Sequence, residues 1–234
     1  MKPDALQKHI SSTYFSLRLA IVAFSVALPL VLYFGGRIWG GLPLQPSISD
    51  YYFAGMGLMR DWFVGILIAV AGFLYLYKGY SPLENIVLNV SGVLLATVSL
   101  SPCGCLEPNS TGSLHGFAAV TFFLLMAFVV IRCAKDTLPL LPDPRQRVAF
   151  ARRYQLIAVL MVASPVAAAV ISIWLQQFQS YVFFVESLAI YTVAAYWAVK
   201  SRELALTQAE ILALEKRVES APGAGVVRAA PTPI

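Results

Sequence analysis

Long apolar runs divide this chain, and its basic residues crowd into every second gap between them. A helix that crosses a bilayer needs roughly 17–25 mostly apolar residues, and six stretches meet that length. Charged residues make up 12% of the 234 positions against 59% hydrophobic, and the mean hydropathy is +0.72. A soluble domain carries about a quarter charged residues. Half that share leaves too little polar surface to cover a water-soluble globule, so the solvent is lipid. Only helices or closed barrels satisfy their backbone there. The runs are continuous rather than alternating, which selects helices. The fold class that follows is all-α: an integral membrane bundle of six transmembrane helices.

The spans read as follows. The first lies between Arg18 and Arg37. The second follows Arg60 and Asp61 and ends near Lys78. The third runs from Pro82 to Ser101, the fourth from Ser113 to Arg132, the fifth from Tyr154 to Leu175, and the sixth from Tyr181 to Lys200. Ser81-Pro82-Leu83-Glu84 has the form of a capping box with proline at the first helical position. Pro102 and Gly104 stop the third span. Gln176, Gln177, Gln179 and Ser180 form the polar break before the sixth. Trp39, Tyr51, Tyr52, Trp62, Trp174 and Tyr181 gather near one set of span ends, as an interfacial aromatic belt does.

Counting basic residues by side orients the bundle. The N-terminal segment, the gap after the second span, the gap after the fourth and the tail together hold 15 of the 17; the other side has only Arg37 and Arg60. By the positive-inside rule both termini are cytoplasmic, and the loops 37–60, 101–113 and 175–181 face out. The net charge of +5 is explained by orientation and by anionic lipid headgroups, which Arg145, Arg147, Arg152 and Arg153 are placed to meet, and not by nucleic acid. Residues 1–200 thus form the six-helix transmembrane domain. Residues 201–220 have Leu204, Ile211 and Val218 at heptad spacing, which suits an amphipathic cytoplasmic helix or a short coiled coil joining a second copy or a membrane-protein partner. From Ala221 to Ile234 the Gly, Pro and Ala content implies disorder.

Few residues can carry chemistry. The loop from Trp39 to Asp61 is too apolar for a solvated linker, yet broken by Gly and Pro. It suits a lid over the outer mouth, because irregular backbone at that depth persists only against protein or a wet cavity. Arg60 stands on the side nearly bare of basic residues, with Asp50, Asp61 and Glu186 as partners on offer. Asp61 at a helix start is favoured by the macrodipole. Glu186 lies six residues beyond Ser180, about 9 Å along its helix at 1.5 Å per residue. A carboxylate there suggests a proton relay, a ligand partner or a counter-ion, or else a bond between helices. His115 opens the fourth span. The other histidine, His9, belongs to the opposite side, so no histidine-based metal site is expected. Cys103 and Cys105 in an outer loop either bond to each other across a small ring or stay reduced. Asn85, Asn89 and Gly92 share one helix face and suit packing against a neighbour. Ser164-Pro165 is placed to kink the fifth span. There is no phosphate-binding glycine loop, nucleophile elbow or dinucleotide motif, and no cofactor is expected.

Ser47-Ile48-Ser49-Asp50-Tyr51-Tyr52, the Met59-to-Leu67 stretch that opens Met-Arg-Asp-Trp-Phe-Val-Gly-Ile-Leu, Tyr77-Lys78-Gly79-Tyr80 and Leu114-His115-Gly116-Phe117 together resemble a group of small bacterial multi-pass membrane proteins. The resemblance covers roughly residues 45–130 and implies a helical bundle in the inner membrane. A second similarity is to the membrane hydrolases that include alkaline ceramidases and progestin/adipoQ-type receptors. Those proteins place Ser, Asp and several His near a membrane face to hold zinc. Ser49, Asp61 and His115 echo that arrangement, although the further histidines are absent.

The reading that follows is a membrane protein, non-enzymatic, with an outward polar pocket. Asp50, Arg60, Asp61, His115 and Glu186 form that pocket under the lid, and its ligand is a lipid or small amphiphile. One alternative is a lipid hydrolase with Asp61 and His115 as acid–base groups. The other is a proton-coupled transporter or channel centred on Glu186. The orientation predicts that a cysteine at Gln146, in an otherwise cysteine-free protein, reacts with an impermeant maleimide only after the membrane is opened; labelling of intact cells would refute it.

Overall fold

The computed structural model describes residues 3–101, 112–174, 181–214, 218–220 and 227–229. Six of its helices are long and apolar enough to cross a membrane. α1 is Pro3–Leu30 and continues through a π-turn at Val31–Gly35 into Gly36–Gly40. α2 is Leu58–Leu76 and α3 is Pro82–Leu100. α4 is Gly112–Phe128, prolonged by a π-turn at Val129–Cys133, and α5 is Pro144–Trp174. α6 is Val182–Thr207, followed by the short α7, Ala209–Leu214. Beyond it β1, Val218–Ser220, pairs antiparallel with β2, Val227–Ala229.

Each long helix packs on the next in chain order, and α6 returns to α1, so the six close into a ring. One end of the ring carries the 41–57 segment and is called the lid end. The other gathers the chain start, the 77–81 and 134–143 turns and α7, and is called the tail end. The apolar side chains divide between the two surfaces. Leu32, Leu74, Leu88, Met126, Met161 and Trp197 are fully buried, while Phe117, Ile86, Leu156, Val159 and Phe184 stand more than half exposed on the outside. An apolar outer wall on a bundle with a packed interior suits lipid rather than water. Trp39 and Trp62 stack at 6.1 Å on the lid end, and Trp174 and Tyr181 are exposed there too, in the manner of an aromatic belt. Tyr51 departs from that expectation and is buried under the lid.

Asn85, Asn89 and Gly92 all face α2 and the turn after it. Asn85 Oδ1 accepts the Gly79 amide at 2.6 Å. The Asn89 amide, with its nitrogen turned inward, donates to the Tyr75 carbonyl at 2.8 Å. A Cβ on Gly92 would stand 2.7 Å from the Ala71 carbonyl oxygen, so only glycine allows α2 and α3 this close. The capping box is present in altered form. Ser81 Oγ accepts the Glu84 amide at 3.2 Å, but the Glu84 carboxylate reaches back to the Tyr80 amide at 2.7 Å rather than to that of Ser81.

Three helices run past the span ends expected from charge; the first, α1, begins at Pro3, well before Arg18. α5 starts ten residues early because Asp143 caps it, its Oδ1 accepting the Arg145 amide at 2.8 Å ahead of Pro144. The arginines of its first turns are no obstacle to a helix, since long side chains can carry their charge away from the bundle. α5 also runs unbroken through Pro165, where Ser164 Oγ donates to the Leu160 carbonyl at 2.6 Å. α6 continues beyond Lys200 to Thr207 because its charges have partners inside the protein. Lys200 Nζ donates to the Ala134 carbonyl at 3.0 Å, to Thr137 Oγ1 at 2.7 Å and to Glu203 Oε2 at 2.9 Å. Tyr154 donates to Glu203 Oε2 at 2.6 Å, and Thr137 donates to the other oxygen. Lys200 is 1% exposed, Glu203 0% and Glu84 1%. Glu186 is not the only carboxylate within the long helices: Glu84 in α3 and Glu203 in α6 are more deeply buried. Burial also pushes the Tyr77 and Tyr80 phenols up, so both stay neutral.

Removing one charge of the Lys200–Glu203 pair leaves the other buried without its counter-charge, at a cost of about 3–5 kcal/mol. Lys200→Met is expected to lower the thermal midpoint in detergent by that loss, and Lys200→Met combined with Glu203→Leu to recover a large part of it. A double variant less stable than the single would contradict the pairing.

Candidate functional site

The lid end is where the sequence placed most of its candidates, and the lid itself positions them. The chain leaves α1 at Gly41, whose φ of 61° turns it sharply while Leu42 N–H returns to the Gly36 carbonyl at 3.0 Å. It re-enters α2 through Gly55, Met56 and Gly57, all with positive φ. Between these turns the lid is fastened to α6 at two points. Phe183 N–H, one of the unpaired amides of a helix start, donates to the Pro46 carbonyl at 2.9 Å. Ile48 N–H donates to Glu186 Oε2 at 2.7 Å. Tyr51, 1% exposed, then drops into the bundle against Phe183, with ring centroids 5.9 Å apart. Burial raises its phenol, and the Gln45 amide that bonds it acts the other way.

Ser47 and Asp50 close the next turn reciprocally. Ser47 N–H donates to Asp50 Oδ2 at 3.0 Å, and Asp50 N–H donates to Ser47 Oγ at 3.1 Å. That starts a single 3-10 turn, Ser49–Tyr52, and carries Ser49 toward α4. Ser49 Oγ lies 3.0 Å from His115 Nε2, and His115 Nδ1 lies 2.8 Å from the Ser101 carbonyl oxygen. A carbonyl only accepts, so Nδ1 carries a proton. In the neutral ring Nε2 then presents its lone pair to the Ser49 hydroxyl. His115 is 8% exposed. The outcome is a hydroxyl hydrogen-bonded to an imidazole whose tautomer is set from behind, which is the relation of a nucleophile to its general base. A backbone carbonyl orients the ring as an aspartate would, without its negative charge.

Of the five side chains expected to share a pocket, the structure joins Asp50, His115 and Glu186 through the lid. Arg60 and Asp61 pair with each other, Nε to Oδ1 at 3.6 Å, with side chains 51% and 72% exposed. Of the partners on offer for Arg60, the structure selects Asp61, and the partner of His115 is Ser49. Cys103 and Cys105 lie outside the described residues. Cys133 is a buried free thiol. Among the described residues no group of three His, Cys, Asp or Glu side chains comes together to hold a metal ion. Ser101 escaped the sequence reading because its contribution is a main-chain oxygen at a helix end, which no residue type advertises.

The chain matches no protein-family model, no curated protein and no solved structure. The lid-end geometry therefore carries the functional argument.

Glu186→Leu takes the acceptor from the Ile48 amide, a loss of about 1–3 kcal/mol for a buried donor. Proteolysis within residues 41–57 is expected to rise in that variant, while Glu186→Gln, which keeps a carbonyl oxygen, stays near the wild-type rate. Equal rates in all three proteins would show that the carboxylate does not hold the lid.

Proposed function

We propose that this six-span membrane protein binds a lipid or small amphiphile at its lid end and hydrolyses an ester in it, with Ser49 as nucleophile and His115 as general base. The observation that carries the reading is the 3.0 Å contact between Ser49 Oγ and His115 Nε2, backed by the Ser101 carbonyl. In the first step Ser49 Oγ bonds to the ester carbonyl carbon and its proton passes to Nε2. The carbon–oxygen bond to the leaving alcohol then breaks, and that alcohol takes the proton from Nε2. Water repeats the sequence on the acyl-serine and releases the carboxylic acid. Glu186 and Asp50 are positioning residues: they hold the 46–50 backbone and so fix where Ser49 points. This assignment uses Ser49 where the sequence reading used Asp61, because Asp61 is committed to Arg60 on the exposed side.

The charge count supports both termini being cytoplasmic, which sets the lid end toward the outside and its water, and the resemblance over residues 45–130 supports a bacterial inner membrane. The apolar outer wall supports a substrate that arrives through the bilayer. If Ser49 binds without reacting, the same site is the amphiphile pocket of a non-enzymatic protein, and one experiment separates the two. A fluorophosphonate probe is expected to label the purified protein at Ser49, to fail with Ser49→Ala, and to label His115→Gln about 100-fold more slowly or less, the usual scale of base catalysis. Asp61→Asn is expected to label normally. Absence of labelling in the folded wild type, or labelling that survives Ser49→Ala, would overturn the hydrolase reading.

A further inference from the structure

The groove between α1 and the α6–α7 corner, at the tail end, holds a charge arrangement unused by the lid-end site. Arg18 is the last charge before an uncharged stretch from Leu19 to Gly36, which sets its guanidinium near the level of lipid headgroups. Its side chain is 2% exposed. Arg18 Nε donates to Ser201 Oγ at 3.1 Å, and Nη1 donates to Tyr77 Oη at 3.4 Å and to Glu210 Oε1. Glu210 Oε2 accepts from Ser11 Oγ at 2.7 Å. A carboxylate from the chain's own tail thus sits among donors in a surface cavity of about 360 Å³, whose rim also includes Lys8 and Ser12. A guanidinium and a hydroxyl on one anion, with a lysine lining the same cavity, are the chemistry that recognises phosphate.

The segment that supplies Glu210 is lightly held. α6 ends because Gln208, not a glycine, adopts φ 52°, a conformation that costs energy for a side-chain-bearing residue. The α7 that follows is six residues long. It is held by the Glu210 contacts, the buried Ala209 and the half-buried Ile211 and Leu212. Beside the groove Phe15 and Leu19, one turn apart on α1, are 47% and 54% exposed, an apolar surface of the kind an acyl chain lies against.

We propose that this groove binds the phosphate group of an anionic phospholipid, and that Glu210 occupies it as a built-in competitor, so that headgroup binding releases α7. The test uses full-length protein, spin-labelled at Ser12→Cys and Ala213→Cys in an otherwise cysteine-free background, in nanodiscs of phosphatidylcholine with or without phosphatidylglycerol. One short distance is expected in phosphatidylcholine, and a longer population when phosphatidylglycerol is added. Glu210→Gln is expected to show the longer population in both lipids. Lys8→Gln, an exposed substitution that leaves folding intact, is expected to weaken the lipid response. A distance unchanged by phosphatidylglycerol would overturn the lipid site, and one unchanged in Glu210→Gln would overturn the latch. Inorganic phosphate reproducing the lengthening in phosphatidylcholine alone would overturn the lipid as its source.

Discussion

Irregular backbone at the rim of a bilayer needs hydrogen-bond partners that lipid does not supply, and the lid end is organised around meeting that need. The Glu186 carboxylate takes the Ile48 amide, the Phe183 amide meets the Pro46 carbonyl, and Asp50 takes the Ser47 amide. Each of these bonds satisfies a main-chain group that an extended helix would have satisfied for itself. Their joint effect is positional. With residues 46–50 fixed at both edges, Ser49 has little freedom, and its hydroxyl meets an imidazole that α4 and the end of α3 hold from the other side. The Ser49–His115 contact is thus a product of the way the lid backbone is paid for in hydrogen bonds.

The tail end meets the same constraint with side chains instead of backbone. Lys200, Glu203, Thr137 and Tyr154 form a network in which the ammonium has three acceptors and the carboxylate three donors. A buried ion pair is tolerated when the remaining donors and acceptors are also filled, and this one is. Because α4 and α5 reach it through the 134–137 turn and Tyr154, the network ties three helices at one level. The Arg18–Glu210 pair joins α1 to α7 in the same way, at the floor of the tail-end groove.

The six spans were legible because lipid imposes a length and a hydropathy that soluble folds do not require. Charge served less well as a marker of helix ends. Arg145–Arg153 was read as a flank, yet it is helical, since an arginine can snorkel; a helix was expected beyond Lys200, but not that Lys200 and Glu203 would find their partners inside the protein. The Asn85, Asn89 and Gly92 face was legible from spacing alone and packs as that spacing implies. The candidate site was legible in its parts and not in its pairing. Ser49, Asp50, His115 and Glu186 could each be singled out by type and position. Which carboxylate met which amide depended on how a lid of glycines and prolines folds back, and no periodicity encodes that.

Glu186 and Lys200 lie fourteen residues apart on α6, two heptads, and so on nearly the same face of one helix about 21 Å apart along its axis. Lys200 is paired with Glu203 at 2.9 Å, so over that distance it acts as one end of a compact ion pair, whose field falls off faster than that of a lone charge, and apolar side chains such as Val193 and Trp197 fill the interval. Direct electrostatic communication between the two ends is therefore weak. A change at the tail end that alters Ser49 reactivity has to travel as a displacement of α6. The lid would register such a displacement at once, because Phe183 and Glu186 move with that helix while His115 stays with α4. The Ser49–His115 distance is thus the quantity through which the far end of the bundle could act on the site.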